Sequence, residues 1–117
     1  MTTTTFTKVV PSGSTDGQGV KIAATATAGT LFHTAHATSI DEIWMWLNNT
    51  SASDVVVTVE FGGATAPDQN IVQTVPAKSS LLAIPGLCLT NSKTCKAFAA
   101  TGNVVNMIGY INRITVA

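Results

Sequence analysis

Apolar and polar residues alternate along much of this chain with the two-residue period of β-strands. Between residues 54 and 61 every odd-numbered position is valine or phenylalanine, whereas Thr58 and Glu60 occupy even-numbered positions. Successive side chains of a strand point to opposite faces, so this segment predicts a half-buried strand. Turn-forming residues fill positions 62–70, and the apolar segment 71–75 then predicts the returning strand of a hairpin.

The same kind of pattern recurs along the rest of the chain. Further strands are predicted at residues 20–27, 30–35, 40–48, 80–84, 94–101 and 104–115. Turn signals separate these segments, and helical periodicity is nearly absent. About eight short strands without crossover helices predict an all-β fold, in which two antiparallel sheets pack face to face as a β-sandwich with jelly-roll or Greek-key connections.

Two predicted strands are apolar on both faces. One is 104–115, which contains Tyr110; the other is 40–48, in which Ile43, Met45 and Leu47 point one way and Trp44 and Trp46 the other. Either the tryptophans fill the sandwich core, or one face contacts a partner subunit, because large aromatic side chains anchor protein interfaces. A carbohydrate-stacking platform is a third interpretation, although the sequence nearby shows no evident cluster of hydrogen-bonding groups for it.

The first 19 residues differ from the rest of the chain. A threonine tract is followed by the turn-formers of residues 11–19, which predicts an N-terminal arm and loop (1–19) before a single sandwich domain (20–117). The arm either frays or adds to the sheet edge of a neighbouring subunit. Together with the aromatic residues, it supplies the candidate protein-interface residues: Thr4, Phe6, Lys8, Trp44, Trp46 and Tyr110.

Charge narrows the classes of partner. Six basic and six acidic residues cancel, and charged residues make up 10% of the chain, where a soluble domain averages about 25%. Without a basic cluster the chain is unsuited to nucleic acid or to anionic membranes. Since 45% of the residues are hydrophobic, we expect part of the apolar surface to meet a partner and the protein to be a homo-oligomer.

Candidate chemistry is sparse. His33 and His36 would point to opposite sides of a strand, so we expect no metal site and no cofactor. Asp41 and Glu42 are the adjacent acids that a general acid-base mechanism would need, but they lack a recognisable catalytic context, and we expect no enzyme. No apolar run is long enough to span a membrane, and the first residues lack a signal-peptide pattern. We therefore expect synthesis in the cytoplasm and reduced Cys88 and Cys95.

Several segments resemble small virion-associated proteins of tailed bacteriophages. The resemblance covers roughly residues 20–115 and is carried by residues 43–54, 57–68, 75–77, 84–87 and 97–114. It implies a head decoration (cement) subunit or another small β-sandwich component of the phage particle, and it carries no catalytic residues. The partners it implies are the major capsid protein, other virion proteins and further copies of the chain, with a homotrimer as the expected state.

The leading hypothesis is therefore a non-enzymatic cement protein on the capsid surface of the virion, which stabilises the head by bridging capsid subunits. A subunit that binds only the assembled shell stabilises it by mass action, and many identical contacts multiply modest affinities. One alternative is a structural component of the neck, the tail or the fibre base. The other is a virion module that binds a host glycan.

Overall fold

Two antiparallel β-sheets form the fold. The structure is a computed structural model that describes residues 3–116. Across that range the strands are β1 (Thr4–Val9), β2 (Val20–Lys21), β3 (Thr30–Thr34), β4 (Ile40–Asn49), β5 (Val55–Phe61), β6 (Asn70–Val75), β7 (Ser80–Leu89), β8 (Thr94–Ala99) and β9 (Val105–Val116). The predicted all-β sandwich is confirmed, and so is the predicted hairpin, because β5 and β6 pair antiparallel.

The strand order gives the connections. Sheet A has the order β1–β9–β4–β7, with β2 also paired to β9, and sheet B has the order β3–β8–β5–β6. The antiparallel pairs β2–β9, β3–β8, β4–β7 and β5–β6 are nested in sequence. A long hairpin rolled into two sheets in this way is a jelly roll, one of the two connection patterns that the sequence left open.

The core lies between the sheets and is mainly aliphatic. Ile43, Met45 and Leu47 of β4 are 0% exposed, and valines of β5 face them from sheet B. The interpretation that Trp44 and Trp46 fill the core is therefore wrong. Strand alternation then puts both indoles on the opposite side of β4, the outside of sheet A.

Strand boundaries differ from the prediction by more than two residues at two places. The segment 20–27 contributes only Val20–Lys21 to β2, because after Ile22, which still donates to Val105 of β9, the chain crosses toward sheet B, where the backbone carbonyl of Ala24 accepts from the N–H of Ala99. Conversely, β7 continues past residue 84 to Leu89. Two shifts in the β4–β7 register accompany this extension, and such irregularities let a strand accommodate Pro85, which has no N–H to donate.

The N-terminal segment also differs from the expected arm. Residues Thr4–Val9 pair antiparallel with β9 of the same chain, from Thr4 opposite Val116 to Val9 opposite Ile111. The expectation that this segment pairs with a neighbouring subunit instead of its own domain is wrong for these residues; Met1 and Thr2 lie outside the described residues. High strand propensity of threonine and phenylalanine suits the segment equally to an internal edge strand, and sequence alone does not identify which edge receives it.

Membrane insertion by a helix has no candidate in the described part of the chain. Residues 3–116 contain no helix long and apolar enough to cross a bilayer.

Candidate functional site

The six candidate interface residues lie on one surface, the outer face of sheet A. Strand alternation puts Thr4, Phe6 and Lys8 on one side of β1, and the register with β9 sets them beside Val116, Ile114 and Asn112. Strand β4, which carries Trp44 and Trp46, lies on the other side of β9, with Trp44 opposite Tyr110. The sequence named these residues from three separate segments, and the structure sets them side by side with β9 in the middle.

An aromatic cluster, defined as Trp44, Trp46 and Tyr110, occupies the middle of this face. The Trp44 and Tyr110 ring centroids are 6.1 Å apart with planes 14° from parallel. The Trp44 and Trp46 centroids are 6.5 Å apart with planes 25° from parallel. All three side chains are half-buried. The rings thus support one another at distances favourable for aromatic pairs and still present surface to a partner.

A polar group borders the aromatic cluster on the side of β1. One oxygen of Glu42 accepts hydrogen bonds from the Trp44 indole N–H, at 2.6 Å, and from the Asn112 amide, at 3.1 Å. The Asn112 carbonyl oxygen accepts from the Lys8 ammonium at 3.3 Å, and that ammonium lies 4.2 Å from the centroid of the Tyr110 ring. Hydrogen bonds from Trp44 and Asn112 lower the pKa of Glu42, so the Glu42 carboxylate is ionised at neutral pH.

On its opposite side, the aromatic cluster is continued by aliphatic side chains and then by a pair of uncharged polar residues. Trp46 faces Ile108 of β9 and Leu82 of β7, both of which are 38% exposed. One step further along the strands, the Asn48 amide donates to the Asn106 carbonyl oxygen at 2.9 Å. The outer face therefore has an aromatic and aliphatic centre between two polar borders, which is the general plan of a protein interface with an apolar core and a polar rim.

Gly86 of β7 fixes the position of the Trp44 indole. Its backbone has φ = +77°, a conformation that glycine adopts without steric cost. A Cβ built on Gly86 would lie 2.8 Å from the Trp44 ring. The indole thus packs directly on the backbone of the neighbouring strand, and this contact helps to keep the ring in place beside Tyr110.

A buried polar network around Asp41 lies on the inner side of β4. The Asp41 side chain is 0% exposed. It accepts from His33 Nε2 at 2.7 Å, from the His36 backbone N–H at 3.0 Å, and from Arg113 Nε and Nη2 at 2.8 and 3.0 Å. Burial alone would raise the pKa of Asp41, but the hydrogen bonds from Arg113, His33 and His36 outweigh it and lower the pKa to about 2.

His33 is neutral in this network. Its Nδ1 accepts from the Ser12 backbone N–H at 3.0 Å, so the proton is on Nε2 and is donated to Asp41. Burial lowers the pKa of His33 and outweighs the opposing effect of Asp41. Although a serine, a histidine and an aspartate meet here, Ser12 Oγ accepts from the Thr34 N–H at 2.7 Å, and the imidazole nitrogen that a general base needs is already occupied. The network joins the N-terminal loop to β3, β4 and β9.

The remaining candidate groups are dispersed. Asp41 and Glu42 point to opposite faces of sheet A, so they cannot act as paired carboxylates. Cys95 is buried in β8, where burial raises the pKa of its thiol to about 12, and Cys88 is exposed on β7; both thiols are free. Residues 3–116 contain no group of three or more histidine, cysteine, aspartate or glutamate side chains that could hold a metal ion.

Sequence reasoning missed both polar arrangements. The Glu42–Asn112–Lys8 group unites three strands, and the Asp41 network unites residues up to 101 positions apart in sequence, between Ser12 and Arg113. Only the alternation that separates Asp41 from Glu42 was visible beforehand. No protein-family model matches this chain and no curated protein matches it, so its function has to be inferred from these surfaces.

Proposed function

We propose that this chain is a structural protein of a tailed-phage particle, most simply a capsid decoration protein that binds the outside of the assembled head. The observation that carries the proposal is the outer face of sheet A, where the half-buried aromatic cluster is continuous with exposed aliphatic side chains. Ile108 and Leu82, which flank Trp46, are each 38% exposed, and Phe6, which lies on β1 beyond the Glu42–Asn112–Lys8 group, is 71% exposed. Contiguous apolar surface of this kind on a small domain is typical of a protein-binding site.

The chemistry of the face favours protein as the partner. Tryptophan and tyrosine are the side chains most often found at binding hot spots. Lys8 and Glu42 are bridged through Asn112, so the border of the face is locally neutral and has no excess of positive charge to attract a phosphate backbone. Jelly rolls are also a recurring architecture of capsid proteins, although they occur in lectins too, and a fold by itself does not define a function.

An oligomer that carries the outer face of sheet A in several copies would bridge neighbouring capsid subunits. A decoration subunit binds only the assembled shell, so each bound copy stabilises that shell by mass action. Copies that associate with one another, with a homotrimer as the expected state, would hold several capsid subunits at once, and the linked contacts would multiply a modest single-site affinity. The protein needs no catalytic group or cofactor for this role.

The experiment is to count this chain in purified particles of the phage that encodes it, by quantitative mass spectrometry against the major capsid protein. Hundreds of copies per particle support decoration of the head. A dozen copies or fewer would instead assign the chain to the neck, the tail or the fibre base, and no copies would reject a virion role altogether.

Host-glycan binding is the second candidate function, and one observation favours it. The structure places Glu42, Asn112 and Lys8 beside the aromatic cluster, which supplies the hydrogen-bonding groups that were not evident in the sequence. These groups already bond to one another and to Trp44, so a sugar would have to replace those bonds, and the candidate therefore ranks second. Concentration-dependent quenching of tryptophan fluorescence by soluble oligosaccharides, lost in Trp46→Ser, would favour it over protein docking.

A further inference from the structure

The free backbone edge of β1 is a second candidate interaction surface, distinct from the aromatic cluster on the outer face. β1 is the edge strand of sheet A, and no strand in residues 3–116 pairs with its other side. Residues Thr4 to Lys8 are all exposed. The β1–β9 register runs from Thr4 to Val9 without a bulge, and β1 contains no proline. Bulges, prolines and several lysines are the usual means by which proteins block a sheet edge, and here Lys8 alone is present.

Hydrogen bonds elsewhere in sheet A identify the backbone groups at this edge. The carbonyl of Val104 accepts from Thr50, next to β4, whereas the carbonyl of Val105 accepts from Ile22, next to β2. Backbone groups alternate between the two edges of a strand, and the β4–β9 register contains no shift. The backbone N–H and C=O groups of odd-numbered residues of β9 therefore point toward β2 and β1, and those of even-numbered residues point toward β4.

This alternation extends to β1 through its pairing with β9. The odd-numbered residues of β1 face odd-numbered residues of β9, as in Thr7 opposite Arg113, and bond to them. The backbone N–H and C=O groups of Thr4, Phe6 and Lys8 consequently point away from the sheet. Their side chains lie on the outer face of sheet A, with Phe6 71% exposed.

We propose that β1 pairs antiparallel with β1 of a second copy of this chain, about a two-fold axis at Phe6. In this register Phe6 lies opposite the second copy's Phe6, and Thr4 lies opposite the second copy's Lys8. All three outward-pointing residues of each strand then find hydrogen-bonding partners, and the two A sheets become one continuous sheet. The two phenylalanines form an aromatic cross-strand pair, one of the favourable combinations in sheets.

Charge favours the register centred on Phe6 over one centred on Lys8. Lys8 is the sole charged residue of β1, and pairing centred on Phe6 sets each lysine opposite a neutral threonine, about four residues along the strands from the other lysine. A register centred on Lys8 would set like charges directly against each other, which is destabilising. The strand is thus complementary to itself, and a two-fold contact of identical patches closes without leaving a free edge.

Area sets the strength of the contact. Six residues of strand span only about 20 Å, so the strand pair buries less than the roughly 800 Å² per partner of a standard interface. We expect this two-fold contact by itself to be weak in dilute solution and to become effective when many copies, such as the expected homotrimers, are held at high local concentration. Because the contact uses the edge and not the aromatic cluster, it does not depend on the proposed docking of the outer face.

Disulfide trapping tests the register directly in the full-length chain. The exposed Cys88 is first changed in a Cys88→Ser background, and Phe6→Cys, Thr5→Cys and Thr7→Cys are introduced singly. Directly opposed residues of a hydrogen-bonded pair have Cα atoms about 5.5 Å apart, within the range that a disulfide spans. In this register Thr5 lies opposite the second copy's Thr7, so the two copies of Thr5, and likewise the two copies of Thr7, are diagonal neighbours. Their Cα atoms are about 7–8 Å apart, a distance at which a disulfide needs backbone movement.

The expected result is that Phe6→Cys cross-links under mild oxidation at least ten times faster than Thr5→Cys, Thr7→Cys and the control Val72→Cys. Val72 of β6 is also highly exposed, at 61%, and reports random collision. Comparable rates for all four variants, or faster cross-linking at Thr5 or Thr7, would overturn the proposal. Circular dichroism of each variant confirms that it is folded before its rate is compared.

Discussion

The substitution Asp41→Asn is the most demanding test of the Asp41 network, the buried polar network on the inner side of β4. The carboxylate is fully buried and accepts hydrogen bonds from His33, His36 and Arg113. An asparagine amide has nearly the same shape, but its NH₂ group would face N–H donors and would leave the Arg113 guanidinium without its anion. The substitution therefore changes the charge and the hydrogen bonding while it leaves the packing of β4 nearly unchanged.

The expected cost follows from the burial and the pKa of Asp41. Its pKa is lowered from 3.8 to about 2, and each pKa unit corresponds to about 1.4 kcal/mol, so ionisation contributes on the order of 2 kcal/mol to stability. Removing one partner of a buried ion pair costs about 3–5 kcal/mol in general. We expect Asp41→Asn to lower the free energy of unfolding at pH 7 by about 3 kcal/mol.

Urea unfolding at pH 7 measures this loss, with Asp68→Asn, an exposed carboxylate in the loop between β5 and β6, as the matched control. Because the folded-state pKa of Asp41 is lowered, the stabilisation is complete above pH 3.8 and is lost as the pH falls through about 2. The difference between wild type and Asp41→Asn should therefore shrink over that window. A loss below 1 kcal/mol at pH 7, or a difference independent of pH down to 2, would refute the assigned role of the carboxylate.

Three further predictions concern single side chains. Burial lowers the pKa of His33 from 6.5, so protonation favours the unfolded chain, and the free energy of unfolding of the wild type should decrease as the pH falls below about 6.5. A free energy of unfolding that stays constant between pH 7.5 and 5, or one that falls equally steeply in His33→Gln, would contradict this. The buried Cys95 thiol, with its pKa raised to about 12, should resist a thiol reagent at pH 8 in the native protein while Cys88 reacts, and two reactive thiols per native chain would be the opposing result. Gly86→Ala should cost about 1–2 kcal/mol because φ is +77°, and it should change the near-UV circular dichroism of Trp44; an unchanged spectrum would show that the indole does not pack on this backbone.

Period-two alternation was sufficient to predict most of the sandwich. The segments around β3, β4, β5 and β6 were placed to within a residue at each end, since apolar alternation and turn residues act locally. β7 was cut short at residue 84 because Pro85 resembles a strand end, and only pairing with β4 shows how the strand passes it. β1 was taken for a docking arm because its side chains are too polar to indicate burial; its pairing with β9 spans the whole chain and leaves no local signal.

The candidate site was predictable in its residues but not in its geometry. Strand alternation put Trp44 and Trp46 on one side of β4, yet either side could have faced sheet B, since both are apolar. The decision depends on which of the two sets packs against the core residues of sheet B, and those residues lie in other segments of the chain. Likewise, the link from Glu42 through Asn112 to Lys8 needs the register of three strands, which no single segment contains.

The most direct measurement of the central claim is hydroxyl-radical labelling of Trp44 and Trp46, in the free protein and in protein bound to the phage particle, with Val72 on sheet B as the internal reference. If the outer face of sheet A docks on the particle, both indoles should be labelled in the free protein and protected at least severalfold in the bound protein, while labelling of Val72 is unchanged. Equal labelling of the indoles in the free and bound states would contradict the claim.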